Sequence, residues 1–402
     1  MSAPAVILLL DTGKEWGGGT NSMLELLKRA DRARFRFVGC FYSDYRKGAG
    51  ERLTEALARL GVKAFVLPPL PQPAWAKLAK ELARVAFFWS RALRLRALWR
   101  IEKRWRIDVR AAQIAALARE AGAQLVYLNN QPASNHEGYL AAQRLGLPAV
   151  QHCRIDAELL PREAALVNAA AKAVICVSRG VLESMARQGV RREFLACVHN
   201  GVDLAAVPAP APASEVFTIG TAANLVPRKS VDHLLRAAAR MKALGESGFR
   251  VLVLGDGPQR GALEALAAQL GLGAEVRFAG FVEEPLPALA AVDVFAFCSR
   301  KEGFPRVLIE AMALAKPVVS ADVVGAQEAV EDGKTGFLYP HGDVEKLAAL
   351  IIALRRDADL RRRLGAAGRE RAARHFSVEA YVTGVSRLLA TALPAPSDGR
   401  PR

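Results

Sequence analysis

The stretch that decides the fold is residues 294–310, which read VFAFCSRKEGFPRVLIE. Val294–Phe297 is an apolar run of strand length, and Pro305 suits the first position of a helix because its missing N–H costs nothing there. The segment therefore predicts a strand, a loop and a helix whose free backbone N–H groups favour anions or hydroxyls. Glu302 lies at the mouth of this helix and Glu310 on a face below it, and carboxylates commonly accept hydrogen bonds from vicinal hydroxyls. The alternative is one loop glutamate and one solvated helix glutamate.

The same alternation of short apolar runs and amphipathic helical segments continues along the chain. Such alternation is typical of parallel sheets covered by helices on both faces, so the predicted fold class is α/β. The predicted strands of a first series are Val6–Leu10, Phe35–Phe41, Ala64–Leu67, Leu125–Leu128, Ala149–Gln151, Val174–Val177 and Leu195–Val198. Those of a second series are Thr218–Thr221, Arg250–Leu254, Val276–Ala279, Val294–Phe297 and Pro317–Ser320.

A run of proline and alanine separates the two series. Residues 205–214 read AAVPAPAPAS, a composition that forms extended linkers and not helix or strand interiors. We therefore predict an N-terminal domain over 1–204 and a C-terminal domain over 215–376, followed by a final helix over 377–393 and a disordered tail over 394–402. Ligands of open α/β sheets bind outside the carboxyl ends of the strands, so the site is expected in a cleft between the domains.

The composition is that of a globular protein with a basic surface. The chain has 402 residues, 51% of them hydrophobic, which excludes disorder over most of its length. The formal net charge of +16 favours anionic partners such as nucleotides, anionic lipids or nucleic acid. Five cysteines without a CxxC pair indicate neither a disulfide scaffold nor a cysteine zinc site. A cytoplasmic location is expected, since there is neither a basic leader nor a run of about 20 apolar residues.

Three further segments adjoin predicted strands and carry candidate site residues. Residues 219–232, IGTAANLVPRKSVD, place Lys229 at the start of a helix, where the lysine and the helix dipole together attract an anion. Residues 16–20, WGGGT, form a glycine-rich turn of the kind that surrounds anions with backbone N–H groups, and Thr20 is expected to cap a helix over 21–30. His152 follows the strand Ala149–Gln151 and is expected to point toward the cleft. The structural alternatives are a surface lysine, a flexible turn and a core histidine.

Several of these segments resemble those of the family 4 retaining glycosyltransferases. EGFPRVLIEAMALAKPVV resembles a block in which two glutamates are separated by seven residues, here Glu302 and Glu310. ANLVPRKSVDHLL resembles the segment usually written GRLVPEKGVDLLL. VHNGVD before it, and VLVLGDGPQRGALE and DVVGAQEAVEDGKTGFLY after it, also look like family segments in the right order. The resemblance spans nearly the whole chain and is strongest from Val174 to Phe337.

The resemblance implies a GT-B fold, in which two Rossmann-like domains face each other across a central cleft and the last helix crosses back onto the N-terminal domain. It implies an enzyme that moves a sugar from a nucleotide-sugar donor, bound by the C-terminal domain, to an acceptor hydroxyl at the N-terminal domain. The anomeric configuration would be retained, with no bound metal and no cofactor. A UDP- or GDP-sugar, a glycan or lipid-linked acceptor, and a place in cell-envelope polysaccharide or lipopolysaccharide assembly are expected from the family's habits.

The resemblance also implies roles for individual residues. Glu310 would hold the ribose hydroxyls of the donor and Glu302 its sugar, while Lys229 would stabilise the diphosphate as it leaves. His152 matches the cleft histidine that hydrogen-bonds the donor sugar. The catalytic residues implied are His152, Lys229 and Glu302. The donor-binding residues implied are Gly18, Gly19, Asn224, Arg228, Lys229, Gly303, Phe304, Pro305 and Glu310.

Two positions depart from the family pattern. The family usually has an arginine at the position of Asn224, where it pairs with the lysine to hold the diphosphate, and a glycine at the position of Ser230. One positive charge is therefore missing from the expected site. We hypothesise that Arg228, which precedes Lys229, supplies that charge.

Residues 75–106 form a basic segment rich in aromatic residues. Large apolar residues recur at three- and four-residue steps, as on one face of a helix. They are Trp75, Leu78, Leu82, Val85, Trp89 and Leu93. Such a basic helix can lie in an anionic membrane interface, which would put the protein on the inner face of the cell membrane. The alternative is a helix that packs on the N-terminal domain with a solvated basic face.

Three other functions stay open on the sequence. The net charge permits a nucleic-acid-binding protein, although the sequence contains no recognisable RNA- or DNA-binding module. A GT-B relative of other chemistry, such as a sugar-nucleotide epimerase or a phosphorylase, would share the same motifs. A catalytically silent family member is suggested by Asn224.

Overall fold

The computed structural model describes residues 3–208 and 216–394. It contains a parallel sheet of seven strands followed by a parallel sheet of six strands, each flanked by helices. The predicted linker 205–214 is described as far as residue 208, and the rest of it lies outside the described residues. The same is true of the predicted tail beyond residue 394.

The N-terminal sheet contains all the strands predicted for the first series, with ends within three residues of the prediction. They are β1 Ala5–Asp11, β2 Phe35–Phe41, β3 Lys63–Val66, β4 Leu125–Asn129, β5 Ala149–Cys153, β6 Ala171–Cys176 and β7 Leu195–Cys197. Their order in the sheet is β3-β2-β1-β4-β5-β6-β7. The helices are α1 Gly18–Arg29, α2 Leu53–Arg59, α3 Ala74–Ala86, α4 Arg91–Glu102, α5 Asp108–Ala121, α6 His136–Leu145, α7 Pro161–Ala170 and α8 Arg179–Arg187.

The C-terminal sheet contains the predicted second series and one strand more. The strands are β8 Phe217–Ala222, β9 Phe249–Leu254, β10 Val276–Gly280, β11 Val294–Phe297, β12 Val318–Ala321 and β13 Gly336–Tyr339, in the order β10-β9-β8-β11-β12-β13. The edge strand β13 was not predicted, because four residues beginning with glycine carry too little periodicity. The helices are α9 Val231–Ala243, α10 Arg260–Gln269, α11 Pro285–Ala290, α12 Arg306–Ala313, α13 Ala326–Ala329, α14 Val344–Arg356, α15 Ala358–His375 and α16 Val378–Ala392.

The last helix crosses back to the first domain, as predicted. Its buried face includes Val385 and Leu389, which belong to the hydrophobic core of the N-terminal domain. The crossing is fixed by backbone hydrogen bonds on both sides of Val202, whose N–H donates to Phe376 and whose carbonyl accepts from Val378, at 2.8 and 2.9 Å. The C-terminal end of the chain therefore belongs structurally to the N-terminal domain.

The basic segment 75–106 is two helices and not one. Helix α3 ends near Phe87, and Ser90 begins α4 by accepting a hydrogen bond from the N–H of Leu93 at 3.4 Å. The prediction of a single helix is wrong. Apolar residues keep their three- and four-residue spacing through the turn between α3 and α4, so the spacing does not reveal where the first helix ends. A π-helical turn, Lys103–Ile107, connects α4 to α5. No helix in the described parts of the chain is both long and apolar enough to span a bilayer.

Candidate active site

A cleft lies between the two domains, with a cavity of about 610 Å³. Its walls come from the loops at the carboxyl ends of β1, β4 and β5 on one side and of β8, β9 and β11 on the other. This is where ligands of open parallel sheets bind, because the strand ends leave a crevice that helices do not cover. Nine of the eleven predicted site residues line this cavity, Gly303 lies between two of them in sequence, and His152 is buried away from it.

A buried carboxylate and two cations form the centre of the C-terminal wall. Glu302 is only 8% exposed, and its Oε1 accepts hydrogen bonds from Lys229 Nζ at 2.6 Å and Arg228 Nη1 at 2.8 Å. The two cations come from a 3₁₀ turn, Pro227–Lys229, between β8 and α9. Two cations and one carboxylate leave the group with a net positive charge. Asn224 and Arg228 both line the same cavity. Arg228 therefore lies at the cleft together with the position where the family's arginine is absent.

Ser230 has a left-handed backbone conformation, which is the conformation that the family's glycine at this position would favour. Its φ of 47° lies in the left-handed region, which a glycine adopts without steric cost. The serine hydroxyl lies 3.1 Å from His341 Nε2 and 3.5 Å from the carbonyl oxygen of Pro227. These contacts favour the left-handed turn that places Arg228 and Lys229 at the cleft.

The second predicted glutamate also has a cationic partner. Glu310 lies on α12, and its Oε1 accepts hydrogen bonds from Arg306 at 3.1 and 3.3 Å. Arg306 also lies 3.4 Å from the Ser22 hydroxyl of the N-terminal domain. Pro305, predicted as the first helical residue, is the N-cap of α12, so the helix begins one residue later than predicted. The sequence prediction missed Arg306. Its spacing of four residues from Glu310 on a helix is the pattern that could have indicated this ion pair.

The glycine-rich turn provides the N-terminal wall. Gly17 is the N-cap of α1, and no described side chain caps this helix end. The predicted capping role of Thr20 is wrong: Thr20 lies within the first turn, and its hydroxyl is 3.2 Å from that of Tyr45. Because uncapped N–H groups at a helix start attract negative charge, Gly18 and Gly19 are placed to contact an anion in the cavity.

His152 does not point toward the cleft, so that prediction is wrong. The strand β5 extends two residues beyond its predicted end, which places His152 inside the sheet with 0% exposure. Its Nδ1 lies 2.6 Å from the Tyr127 hydroxyl, and its ring packs between Tyr127 and Tyr381. Burial and the nearby Arg154 charge hold the pKa of the His152 imidazole well below its usual range. A neutral core histidine results.

Arg154 is the cleft residue that the sequence did not identify. It is the first residue after β5 and lines the cavity. Its guanidinium donates to Asn129 Oδ1 at 2.7 and 2.9 Å and to Asn200 Oδ1 at 3.3 Å. A methylene of its side chain lies 3.8 Å from the site that a Cβ on Gly19 would occupy. Arg154 is therefore a buried cation beneath the glycine-rich turn.

Asp11 ends β1 and stabilises the same corner of the cleft. Its carboxylate accepts hydrogen bonds from the Gly13 N–H at 2.6 Å and the Asn130 side chain at 2.7 Å, and another from Asn129. Burial raises the pKa of the Asp11 carboxyl, and these hydrogen bonds and the Arg154 charge oppose that rise. Asp11 was missed because a single aspartate at a strand end has no distinctive spacing.

The two domains touch directly at the site. A Cβ added to Gly303 would lie 2.5 Å from the carbonyl oxygen of Arg154 and 2.8 Å from Ile155 Cα. Beside it, the Asn200 side chain donates a hydrogen bond to the carbonyl of Phe304 at 2.9 Å. Gly303 and Phe304 were predicted for their backbone groups, and the structure adds that Gly303 permits this close approach.

Gly303→Ala should therefore strain the contact between the domains. We expect a destabilisation of about 1–3 kcal/mol, as for other overpacked sites, seen as a lower midpoint of thermal unfolding. Gly261→Ala is the matched control, since a Cβ there has no neighbour within 4 Å. Equal midpoints for the two variants would contradict the close approach.

Comparisons with known proteins place this geometry in a family. A family model described as "Glycosyltransferase Family 4" matches residues 50–206, and one described as "Glycosyl transferases group 1" matches residues 208–371. The lipopolysaccharide core biosynthesis glycosyltransferase LpsE of Rhizobium meliloti is 35% identical over 54% of this chain and 64% of its own length. The putative colanic acid biosynthesis glycosyltransferase WcaL of Salmonella typhimurium is 33% identical over 53% of this chain and 54% of its own. The chain thus spans less than two thirds of either relative.

Solved structures show the same fold at lower identity. The Anabaena protein HepE in complex with UDP and glucose is 22% identical, with a TM-score of 0.76 over 96% of this chain and 99% of its own. That likeness establishes the architecture as GT-B, with two Rossmann-like domains across a cleft. Together with the two family models, which follow each other from residue 50 to residue 371, it shows that the chain belongs to the family 4 glycosyltransferases.

Proposed function

We propose that the protein is a retaining glycosyltransferase that moves a sugar from a nucleotide diphosphate donor to an acceptor hydroxyl, in lipopolysaccharide or other cell-envelope polysaccharide assembly. The observation that carries this proposal is the net positive group of Glu302, Lys229 and Arg228 in a cleft between two Rossmann-like sheets. The setting is supported by the names of LpsE and WcaL, and a UDP-sugar donor by the UDP in the HepE structure.

The positive charge would act mainly on the leaving group. As the bond between the sugar and the phosphate breaks, negative charge grows on the diphosphate, and fixed cations lower the free energy of that state more than of the ground state. Lys229 Nζ and the uncapped start of α1 are placed for this role. In the structure Lys229 and Arg228 both bond to Glu302, so a bound diphosphate would share these donors with the carboxylate. We propose that they supply the charge in place of a metal ion.

Arg228 would compensate for Asn224. The usual family segment has glutamate at the position of Arg228, so this chain exchanges an acidic residue for a basic one beside the lost arginine. The contact with Glu302 places its guanidinium at the cleft.

Replacing either cation should weaken binding of the donor's nucleotide. We expect Lys229→Ala and Arg228→Ala each to weaken UDP binding about 10- to 100-fold, because a hydrogen bond between charged groups contributes about 1.5–3 kcal/mol. Isothermal titration calorimetry with UDP and GDP measures both the effect and the choice of base. Arg277→Ala, which removes an exposed arginine of β10, is the control. An unchanged affinity for UDP in Arg228→Ala would contradict the proposal that Arg228 compensates for Asn224. If the wild-type protein binds neither nucleotide, a catalytically silent or nucleic-acid-binding protein would be favoured.

A retaining reaction proceeds either through a covalent intermediate on a carboxylate or by a same-face substitution, and three carboxylates of the cleft argue against the first course. Asp11, Glu302 and Glu310 are all engaged by donors from the chain, which makes each a poor covalent nucleophile. We therefore propose a same-face substitution. The acceptor oxygen bonds to the anomeric carbon as the bond to phosphate breaks, and a phosphate oxygen takes the acceptor's proton.

The stereochemistry of the product tests this course. An α-configured UDP-sugar should give an α-linked product, as measured by the anomeric coupling constants in NMR spectra recorded early in the reaction. A β-linked product would contradict a same-face substitution while leaving transferase activity intact. Release of a free sugar phosphate or of an epimerised nucleotide sugar would favour the phosphorylase or epimerase chemistry.

We also propose that α3 and α4 bind an anionic membrane. Seven of the twelve exposed large hydrophobic residues in the described chain lie between residues 75 and 95, and Trp89 and Phe88 are 67% and 76% exposed. Exposed cations lie among them, including Lys77, Arg84 and Arg91. Apolar residues surrounded by basic ones match the interface of an anionic bilayer.

Removing the aromatic residues at the turn between these helices should weaken membrane binding. We expect Phe88→Ser/Trp89→Ser to lower binding to vesicles of phosphatidylcholine and phosphatidylglycerol by about tenfold or more, since burying a large side chain contributes about 1.5–3 kcal/mol. Vesicle co-sedimentation at low and high salt measures this. Leu244→Ser is the control, because Leu244 is 50% exposed on the other domain. Failure of the wild-type protein to bind these vesicles at low salt would exclude the proposal.

A further inference from the structure

A second cavity, of about 400 Å³, lies in the N-terminal domain beside the cleft. One wall comes from the loop after β1, and the opposite wall from the chain that follows α4. Lys14 lines both this cavity and the cleft, so the two spaces are neighbours. The polar groups that matter here are Lys14, Tyr42, Arg106, Arg110, Ser134 and Glu137.

The cavity has a buried cation without an anionic partner. Arg110 is 6% exposed and donates to the carbonyl of Pro68 at 2.7 Å and to Gln113 at 3.0 Å. Among the residues that the structure describes, no carboxylate forms an ion pair with Arg110 or with Lys14. Arg106 is different, since it pairs with both Glu102 and Glu137. The carboxylate of Glu137 is thus already neutralised, and the cavity has an excess of positive charge.

Tyr42 adds a hydrogen-bond donor to the same space. The guanidinium of Arg110 lies 5.3 Å from the centre of the Tyr42 ring. The Tyr42 hydroxyl is buried and has no hydrogen-bond partner among the described residues. Burial raises the pKa of Tyr42, so the hydroxyl stays protonated and can donate. A buried donor without an acceptor costs free energy, and an oxyanion in the cavity would satisfy it.

We propose that this second cavity binds a phosphoryl group of the acceptor, through Lys14, Arg110 and the Tyr42 hydroxyl. Charge and hydrogen-bond donors match a phosphate, which offers several acceptor oxygens and up to two negative charges. Naming the ligand an acceptor rests on the proposed function, because the cavity adjoins the cleft on the side of the N-terminal domain. The anion site itself does not depend on that proposal.

Binding of inorganic phosphate tests the site apart from the cleft. The background variant is Arg228→Ala/Lys229→Ala, which removes the two cleft cations that bond to Glu302, and phosphate binding is measured by ³¹P NMR titration. Adding Lys14→Gln should weaken the remaining binding about 3- to 10-fold, and adding Tyr42→Phe about 3-fold or more. Lys172→Gln, which removes an exposed lysine of β6, should have no effect.

The outcomes separate this inference from the proposed function. Phosphate binding that is equal with and without Lys14→Gln and Tyr42→Phe would overturn the phosphoryl site, even if UDP still binds the cleft. Loss of UDP binding with phosphate binding intact would overturn only the donor proposal. Arg110→Lys is used in place of a neutral variant, because Arg110 also bonds to Pro68 and its full removal could unfold the domain. Because lysine keeps the charge but loses the planar fork of donors, we expect Arg110→Lys to weaken phosphate binding about 3-fold or more, and unchanged binding would remove Arg110 from the site.

Competition identifies the source of the phosphoryl group. Displacement of phosphate by glycerol 3-phosphate would support a soluble phosphorylated acceptor. Displacement by phosphatidylcholine vesicles containing a polyprenyl phosphate, and not by vesicles without it, would support a lipid-linked acceptor. Displacement by neither would overturn the assignment to an acceptor.

Discussion

The arrangement of the site depends on one buried carboxylate. Glu302 comes from the loop between β11 and α12, whereas Lys229 and Arg228 come from the turn between β8 and α9, so the ion pairs connect two loops of the C-terminal sheet. A charge with 8% exposure is tolerated only with partners, and removing one partner from such a group leaves an uncompensated buried charge. Because two cations face one carboxylate, the group retains positive charge for an anionic ligand. The same loop continues into Gly303, which contacts the other domain.

The contact at Gly303 fixes the position of the loop that carries Glu302 relative to the N-terminal domain. Its backbone packs on that of Arg154, and Asn200 bonds both to Arg154 and to the carbonyl of Phe304. Arg154 also bonds to Asn129, which bonds to the carboxylate at the end of β1. A continuous chain of hydrogen bonds therefore runs from the carboxylate at the end of β1 to the loop that carries Glu302. Fully satisfied polar networks of this kind are rigid, since any displaced member would lose its partner in a medium of low dielectric constant.

Local patterns in the sequence predicted every described strand except β13, and they pointed to several residues that line the C-terminal wall of the cleft. Glu302 and Lys229 lie in loops that follow strands, and Glu310 lies on the helix after the first of these loops, so their positions depend on short segments of chain. His152 failed because successive residues of a strand face opposite sides, and β5 proved two residues longer than predicted. Arg154 then takes the first position beyond the strand. Contacts such as that of Arg306 with Ser22 join residues 284 apart in sequence, and no local pattern encodes them.

The distribution of charge connects the three basic regions of the molecule. Several arginines of the C-terminal domain form ion pairs, as Arg355 and Arg356 do with Glu246. In α4, by contrast, no described carboxylate pairs with its four arginines, and the chain after it supplies Arg110 to the second cavity. Exposed charges are screened beyond about 8–10 Å in physiological salt, so an anionic ligand is attracted by the cations closest to it. The four arginines of α4 and the cations of the second cavity belong to the N-terminal domain, and Lys14 lines both that cavity and the cleft. Under the proposed function, this part of the chain's net charge of +16 would attract an anionic acceptor toward the N-terminal side of the cleft.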